Sequence, residues 1–299
     1  MSVTSTSTSL APEQQGPKQL GPFKLQLVND CDFRLDGGAM FGVVPKPLWE
    51  RKKPSDERNR IAMSTRCLLI ERGDDLVLVD TGIGDKNDAK FRDIYGMADG
   101  APRLPAAIQE AGYELGDVTH VVMTHLHFDH SGWNTVEKGG AFVPTFPNAR
   151  YWMSRGEVEH ADAPNARDRA SYLPVNWQPV AEAGQLELFD GEAEPVTGVS
   201  AVEVPGHNAN MCIVRVDGGS PDAQAVYWAD LIPTVAHVPY PWVMGYDLYP
   251  LQTLANKELW IPQAAEGRWL SIFEHESETP WTHIVQDERG RFVARPVTD

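Results

Sequence analysis

Four side chains that commonly bind metal ions stand within six residues, in the segment THLHFDHSGWN at 124–134. His125 and His127 are two residues apart, so on an extended backbone they point the same way and can converge on one ion. Asp129 and His130 follow where the chain turns, and they can face a second ion. The spacing predicts a metal site with imidazole and carboxylate ligands.

These four side chains are too few to complete the coordination of two metal ions, so further ligands are needed later in the chain. His207 follows VSAVEVPG, Asp230 follows AVYWA, and His275 follows WLSIFE. Each stands where an apolar strand gives way to a loop, which is a usual place for site residues on a rigid scaffold. Isolated histidines lack this context and are expected to be ordinary surface or core residues: His120, His160 and His283.

The elements that must position these ligands are mostly strands. Two apolar runs in 64–82 are separated by Gly73-Asp74-Asp75, which predicts an antiparallel hairpin. A strand is expected at 118–123, directly before the histidines. Helical spacing predicts helices at 105–111, after Ser154 and at 251–266, the last with Pro262 inside it. Further strands are expected at 186–189, 199–204, 211–216 and 225–230, with a terminal hairpin around Asp287 to Gly290.

Length and composition favour one folded domain over 22–299, because 299 residues with 42% hydrophobic content can bury a large core. Residues 1–21, rich in Ser, Thr, Pro and Gln, are expected to be a disordered tail. No apolar run approaches a membrane span, and the three scattered cysteines fit a reducing cytoplasm. The net charge of −16 disfavours a nucleic-acid partner. The sequence is compatible with either a monomer or a homodimer.

The order HxHxDH, lone His, lone Asp, final His resembles the metallo-β-lactamase superfamily. That resemblance implies an α/β fold, an αβ/βα four-layer sandwich of two mixed β-sheets flanked by helices. It also implies two divalent metal ions, with zinc expected and manganese, iron or cobalt left open by the ligand types. By position, the first metal is held by His125, His127 and His207, the second by Asp129, His130 and His275, with Asp230 bridging and Asp80 of LVLVDTG orienting a ligand.

Two further segments resemble the N-acyl-homoserine-lactone lactonases, quorum-quenching enzymes of the YtnP-like group, and the methyl-parathion-hydrolase-like proteins. They are LDGGAMFGVVPKPLW at 35–49 and ADLIPTVAHVPYPWVMGYDLYP at 229–250. The resemblance implies that Met40, Phe41 and Phe128 line a substrate pocket. The expected substrate is a small-molecule lactone. Alternatives are an organophosphate or aryl-ester hydrolase and a non-hydrolytic metal-binding or redox protein.

The expected mechanism uses a hydroxide shared by the two metals to attack the lactone carbonyl. Asp129 and Asp230 are the residues expected to guide the proton. One departure from the family stands out, because well-known lactonases place a tyrosine three residues after the bridging aspartate, where this chain has Pro233. His237, or a tyrosine of the following loop, is the candidate for its assisting role.

Overall fold

A computed structural model describes residues 16–97 and 102–297 of the chain. Most of the expected tail, residues 1–15, lies outside the described residues. The predicted boundary at residue 21 is wrong, because Lys18–Leu20 forms a strand paired with Phe23–Asp36. The physical reason is Leu20, whose side chain is buried in the main core. The folded part therefore includes residues that composition alone assigned to the tail.

The described chain holds sixteen strands and eight α-helices, with short 3-10 turns between them. The strands are β1 Lys18–Leu20, β2 Phe23–Asp36, β3 Arg60–Arg72, β4 Asp75–Val79, β5 His120–Val122, β6 Thr135–Lys138, β7 Ala141–Pro144, β8 Arg150–Ser154, β9 Leu186–Phe189, β10 Glu192–Val196, β11 Val199–Glu203, β12 Cys212–Asp217, β13 Gln224–Tyr227, β14 Leu270–Ile272, β15 Trp281–Gln286 and β16 Phe292–Pro296. The helices are α1 Gly37–Phe41, α2 Lys46–Trp49, α3 Ala89–Ile94, α4 Leu104–Glu110, α5 Phe128–Ser131, α6 Arg155–Asp162, α7 Gln178–Glu182 and α8 Pro250–Glu266.

Two seven-stranded sheets form the centre of the molecule. The first has the order β1-β2-β3-β4-β5-β8-β9, and the second runs β10-β11-β12-β13-β14-β15-β16. Both are mixed, because β4, β5, β8 and β9 pair in parallel in the first sheet and β13 pairs in parallel with β14 in the second. The remaining pairs within these two sheets are antiparallel.

The main core lies between the two sheets, and alternation along β3 shows how the chain supplies both faces of its sheet. Leu68 and Ile70 join residues of the second sheet in the core between the sheets. Leu69, between them, faces a second core formed with helices α4, α6 and α7. Helix α8 covers the second sheet through Ile261 and Ala264. The predicted four-layer αβ/βα sandwich is therefore confirmed.

Local signals in the sequence account for several of these elements. The predicted hairpin is β3 and β4, joined through Gly73 at a φ of +60°, which favours glycine. Helix α6 begins after Ser154, whose side chain accepts a hydrogen bond from the backbone N–H of Glu157. Helix α8 follows the predicted range and contains Pro262. In the part of the chain that the structure describes, no helix is long and apolar enough to span a membrane.

Candidate metal centre

The predicted ligands meet at one edge, where strands of both sheets end. The segment after β5 carries His125 and His127, and α5, which begins at Phe128, carries Asp129 and His130. In the second sheet, Asp230 follows β13 and His275 follows β14, two neighbouring parallel strands. Parallel strands deliver the residues after their carboxyl ends to the same edge. His207 reaches this edge from the loop after β11.

The first group of ligand atoms comes from His125, His127, His207 and Asp230, all within 4.8 Å of one another. His207 Nε2 lies 3.0 Å from His127 Nδ1 and 3.2 Å from Asp230 Oδ2. Four ligands placed tetrahedrally at zinc–nitrogen distances stand about 3.3 Å apart. The spacing of these atoms therefore fits convergence on one ion.

The second group comes from Asp129, His130 and His275. The Nε2 atoms of His130 and His275 are 3.2 Å apart, and His275 Nε2 lies 3.8 Å from Asp129 Oδ2. Asp230 turns its other oxygen to this group, with Oδ1 at 3.1 Å from His275 Nε2. The two oxygens of one carboxylate thus face the two groups, which is the geometry of a bridging ligand.

A pair of cations fits the donor atoms present. His125 Nε2 and Asp230 Oδ1 are buried and have no hydrogen-bond partner among the described residues, and such orphaned atoms call for an unseen partner. Burial, with His130 beside it, holds the pKa of His125 well below its ordinary value, so the ring is neutral as metal binding requires. Despite burial, His207 and His275 hold the pKa of Asp230 well below its ordinary value.

Asp80 lies behind the second group and orients His130. Its Oδ2 is 3.0 Å from His130 Nδ1 and accepts a hydrogen bond from the Thr124 hydroxyl, while Oδ1 accepts the Thr124 backbone N–H. Its own φ of +56° is in the left-handed region. Asp80 therefore occupies the orienting place that the sequence resemblance implied, on the far side of the ring from Nε2.

Sequence reasoning missed three other groups that lie beside the Nδ1 atoms of the imidazoles. Glu274 Oε2 is 2.8 Å from His130 Nδ1, Asp247 Oδ1 is 3.0 Å from His207 Nδ1, and the Ser64 carbonyl is 2.9 Å from His275 Nδ1. Burial raises the pKa of Glu274 to about 8. Its place directly before His275 was the available signal. Asp247 offered none, because its partner is forty residues away in the chain.

The backbone beside Asp230 is strained. Ala229, directly before Asp230, has a φ of +45°, a conformation that residues with a Cβ rarely adopt. Such strain costs about 1–3 kcal/mol and persists where the surrounding structure imposes it. Here the buried 3-10 turn Ala229–Leu231 imposes it and fixes where the Asp230 carboxylate points.

A cavity of about 300 Å³ opens over the two groups, with His127, Asp129, His207, Asp230 and His275 in its lining. Met40 and Phe128 lie on its wall, as the resemblance implied. Phe41 does not. That expectation is wrong, because the Phe41 ring is buried between Trp49 and His237, with centroids at 5.2 and 4.5 Å. Consecutive residues of the short helix α1 face different sides.

His237 also lies behind the cavity wall, which contradicts the expectation that it assists the reaction. Its Nε2 is 2.9 Å from the Met40 carbonyl, and its Nδ1 is 2.8 Å from the Thr234 hydroxyl. Burial lowers the pKa of the His237 imidazole to about 3. Both nitrogens are engaged in hydrogen bonds away from the ligand cluster, so the ring cannot reach a substrate.

Two tyrosines stand on the cavity wall instead. Tyr95 comes from the turn after α3, which sequence reasoning left out, and Tyr246 comes from the aromatic-rich loop before α8. Neither hydroxyl has a hydrogen bond within the described part of the chain. Burial and the nearby Asp129 carboxylate raise the pKa of Tyr95, so its hydroxyl stays protonated. Three other aromatic residues of the segment 229–250 do not line the cavity: Tyr240, Trp242 and Tyr249.

The family model described as the metallo-beta-lactamase superfamily matches residues 61–249. The match covers more than half of the chain, and the chain belongs to this superfamily. The described fold and its cluster of His and Asp residues agree with that membership.

Individual relatives add detail. A probable metallo-hydrolase of Mycobacterium tuberculosis is 33% identical over 212 residues, 60% of this chain and 63% of the relative. An N-acyl homoserine lactonase of Bacillus cereus is 27% identical over 160 residues, 50% of this chain and 57% of the relative. The chain thus aligns with less than two thirds of these relatives' length.

Solved structures resemble nearly the whole chain. A probable metal-dependent hydrolase from Staphylococcus aureus superposes with a TM-score of 0.85 at 30% identity, covering 94% of this chain and all of that one. A dizinc quorum-quenching lactonase, in complex with the product N-hexanoyl-L-homoserine, superposes with a TM-score of 0.76 at 20% identity over 95% and 97% of the two chains. The second likeness shows the fold alone.

Proposed function

We propose that the protein is a hydrolase that binds two zinc ions and opens lactone rings, with N-acyl homoserine lactones as its substrate class. The observation that carries the proposal is the Asp230 carboxylate, whose two oxygens face two separate groups of histidines. A carboxylate placed in this way suits two cations a few ångströms apart. The proposed ligands are the seven of the sequence analysis: His125, His127, His207, Asp129, His130, His275 and Asp230.

Two divalent ions, when bound, would lower the pKa of a shared water and polarise a carbonyl oxygen. The chain itself contributes orientation and proton transfer. Asp129 and Asp230 place carboxylate oxygens beside the ligand nitrogens, where an Oδ atom can accept the proton of the attacking water and return it to the ring oxygen. No serine or cysteine nucleophile is needed.

The cavity wall suits an acyl chain. Met40, Phe128 and Met244 present apolar surface next to the ligand cluster, which excludes water and contacts hydrocarbon. The free hydroxyls of Tyr95 and Tyr246 take the assisting role proposed earlier for His237, as donors to the carbonyl oxygen. Lactonases among the curated relatives and structural neighbours support the choice of substrate.

The test is a ring-opening assay that follows proton release from a series of acyl homoserine lactones, beside hydrolysis of an aryl phosphotriester. We expect lactone turnover by zinc-loaded protein, loss of turnover after chelation, and recovery when zinc is returned. Metal analysis of the loaded protein should give two ions per chain. A preference for the phosphotriester, or lactone turnover that survives complete metal removal, would overturn the proposal.

A further inference from the structure

Arg167 and Asp168, which are adjacent in sequence, both line the cavity. Among the described residues that line the cavity, they are the two charged residues outside the proposed metal ligands. The neighbouring wall is largely apolar or aromatic: Leu35, Ala39, Met40, Tyr95, Phe128 and Met244. In a mostly apolar pocket, a few polar groups fix the orientation of the ligand.

Asp168 offers a hydrogen-bond acceptor that the described residues leave unused. Its side chain is 7% exposed, and its Oδ2 accepts a hydrogen bond of 2.6 Å from His160 Nε2. Its Oδ1 is buried and has no partner in the described part of the chain. Leaving a buried carboxylate oxygen without a donor is costly, so a ligand N–H would be bound strongly there. His160 holds the carboxylate in place for that purpose.

Arg167 supplies the opposite polarity beside it. The guanidinium donates a hydrogen bond to the Gly245 carbonyl, on the loop that also carries Met244 and Tyr246. The side chain therefore links two loops that line the cavity. A guanidinium has five N–H donors, and the described residues engage one of them. The others remain for an acceptor on a bound ligand.

We propose that Arg167 and Asp168 recognise a secondary amide carried next to the reacting ring. Asp168 accepts the amide N–H, and Arg167 donates to the amide oxygen, so the pair matches the one donor and one acceptor of that group. The proposal rests on the proposed lactonase function and adds the residues that select the substrate. An alkyl lactone or an aryl phosphotriester has no N–H to offer Asp168.

The experiment compares N-hexanoyl homoserine lactone with its N-methyl analogue, in which a methyl group replaces the amide hydrogen. Wild-type protein, Asp168→Asn, Arg167→Met and the control Asp162→Asn are assayed with both. Asp162 is exposed at the end of α6 and does not line the cavity. Asparagine keeps the shape of Asp168, but it accepts through one atom only, which His160 then competes for.

We expect wild type to prefer the N–H substrate about ten- to hundredfold in kcat/KM, mostly through KM, because a hydrogen bond to a charged group has that effect. Asp168→Asn should bring the ratio close to one, whereas Asp162→Asn should leave it unchanged. Arg167→Met should weaken the binding of both substrates, since both keep the amide oxygen to which Arg167 donates. The ratio of kcat/KM for the two substrates in Asp168→Asn is insensitive to partial misfolding, because misfolding lowers both rates equally.

Three results would overturn the proposal. Lactone turnover without an N–H preference, or a preference that survives in Asp168→Asn, overturns the role of this pair and leaves the lactonase function standing. A wild type that opens neither lactone overturns the proposed function and this recognition with it.

Discussion

Asp30 and Asp230 are both buried aspartates, and the fold surrounds them in opposite ways. Asp30 is 1% exposed and Asp230 is 6% exposed. Both oxygens of Asp30 accept hydrogen bonds from N–H groups: Leu104 N and Trp133 Nε1 at Oδ1, and Ile83 N and Gly84 N at Oδ2. Asp230 has an oxygen without a hydrogen-bond partner among the described residues. Its carboxylate oxygens lie beside the nitrogens of His207 and His275 instead.

The difference separates a carboxylate that is fully hydrogen-bonded within the protein from one that is not. Asp30 ties β2 to the loop after β4 and to the start of α4, and its bonds are complete within the protein. Asp230 is left with lone pairs that only a cation or a proton can satisfy. A buried polar group whose partners are missing requires an explanation, and here the explanation is a ligand.

The largest effect is expected from Asp230→Asn, which removes the shared charge. Activity should fall by about a thousandfold or more, because both ions lose a common ligand. Metal content should fall as well, while the unfolding midpoint of metal-free protein changes little. Metal analysis and lactone turnover measure the two effects. Full metal content in this variant would contradict the bridging assignment.

Asp30→Ala should break the fold rather than the site. The free energy of unfolding is expected to fall by about 3–5 kcal/mol, because several buried N–H groups lose their acceptor. Urea unfolding measures the change, with Asp74→Ala in the exposed turn after β3 as the control. The folded fraction should still bind metal. Loss of metal without loss of stability would show that Asp30 belongs to the site.

Asp80→Asn and Glu274→Gln extend the comparison to two carboxyl groups that contact a proposed ligand but are not ligands themselves. Both carboxyl groups lie beside His130 Nδ1. Asp80→Asn should weaken metal affinity by about 10- to 100-fold through loss of ring orientation. Glu274→Gln should have a smaller effect, since Asp80 also holds the Thr124 backbone and hydroxyl, whereas neither Glu274 side-chain oxygen has a hydrogen-bond partner among the described residues. Competition with a chelator gives both affinities; equal losses would contradict this order.

The smallest effect is expected at Asp287, a half-buried carboxylate whose hydrogen bonds come from within its own turn. Hydrogen bonds from Arg291 lower its pKa to about 2. A lowered pKa means that its contribution to stability is present above the unfolded value near 4 and is lost as pH falls towards 2. The urea midpoint of Asp287→Asn should differ slightly from wild type at pH 6, and the difference should shrink below pH 4. A difference that grows on acidification would contradict this sign.

Much of the candidate site could be predicted because its ligands carry a local signature. The spacing of 125–130 is short, and Asp230 and His275 each follow a recognisable apolar strand. Contacts behind the ligands carry no such signature. Met40 and Phe41 are adjacent and equally apolar, yet Met40 lines the cavity and Phe41 packs behind it. Only the orientation of α1 separates them.

The sequence by itself determined the kind of protein: the ligand types, their order and the strand before each ligand. These features are local, because spacing and periodicity act over a few residues. The tertiary structure decided which side chains reach the cavity and which lie behind it. It moved His237 out of the mechanism and brought Arg167 and Asp168 onto the wall. Such contacts join loops far apart in the chain, and packing of the two sheets, rather than local propensity, brings them together.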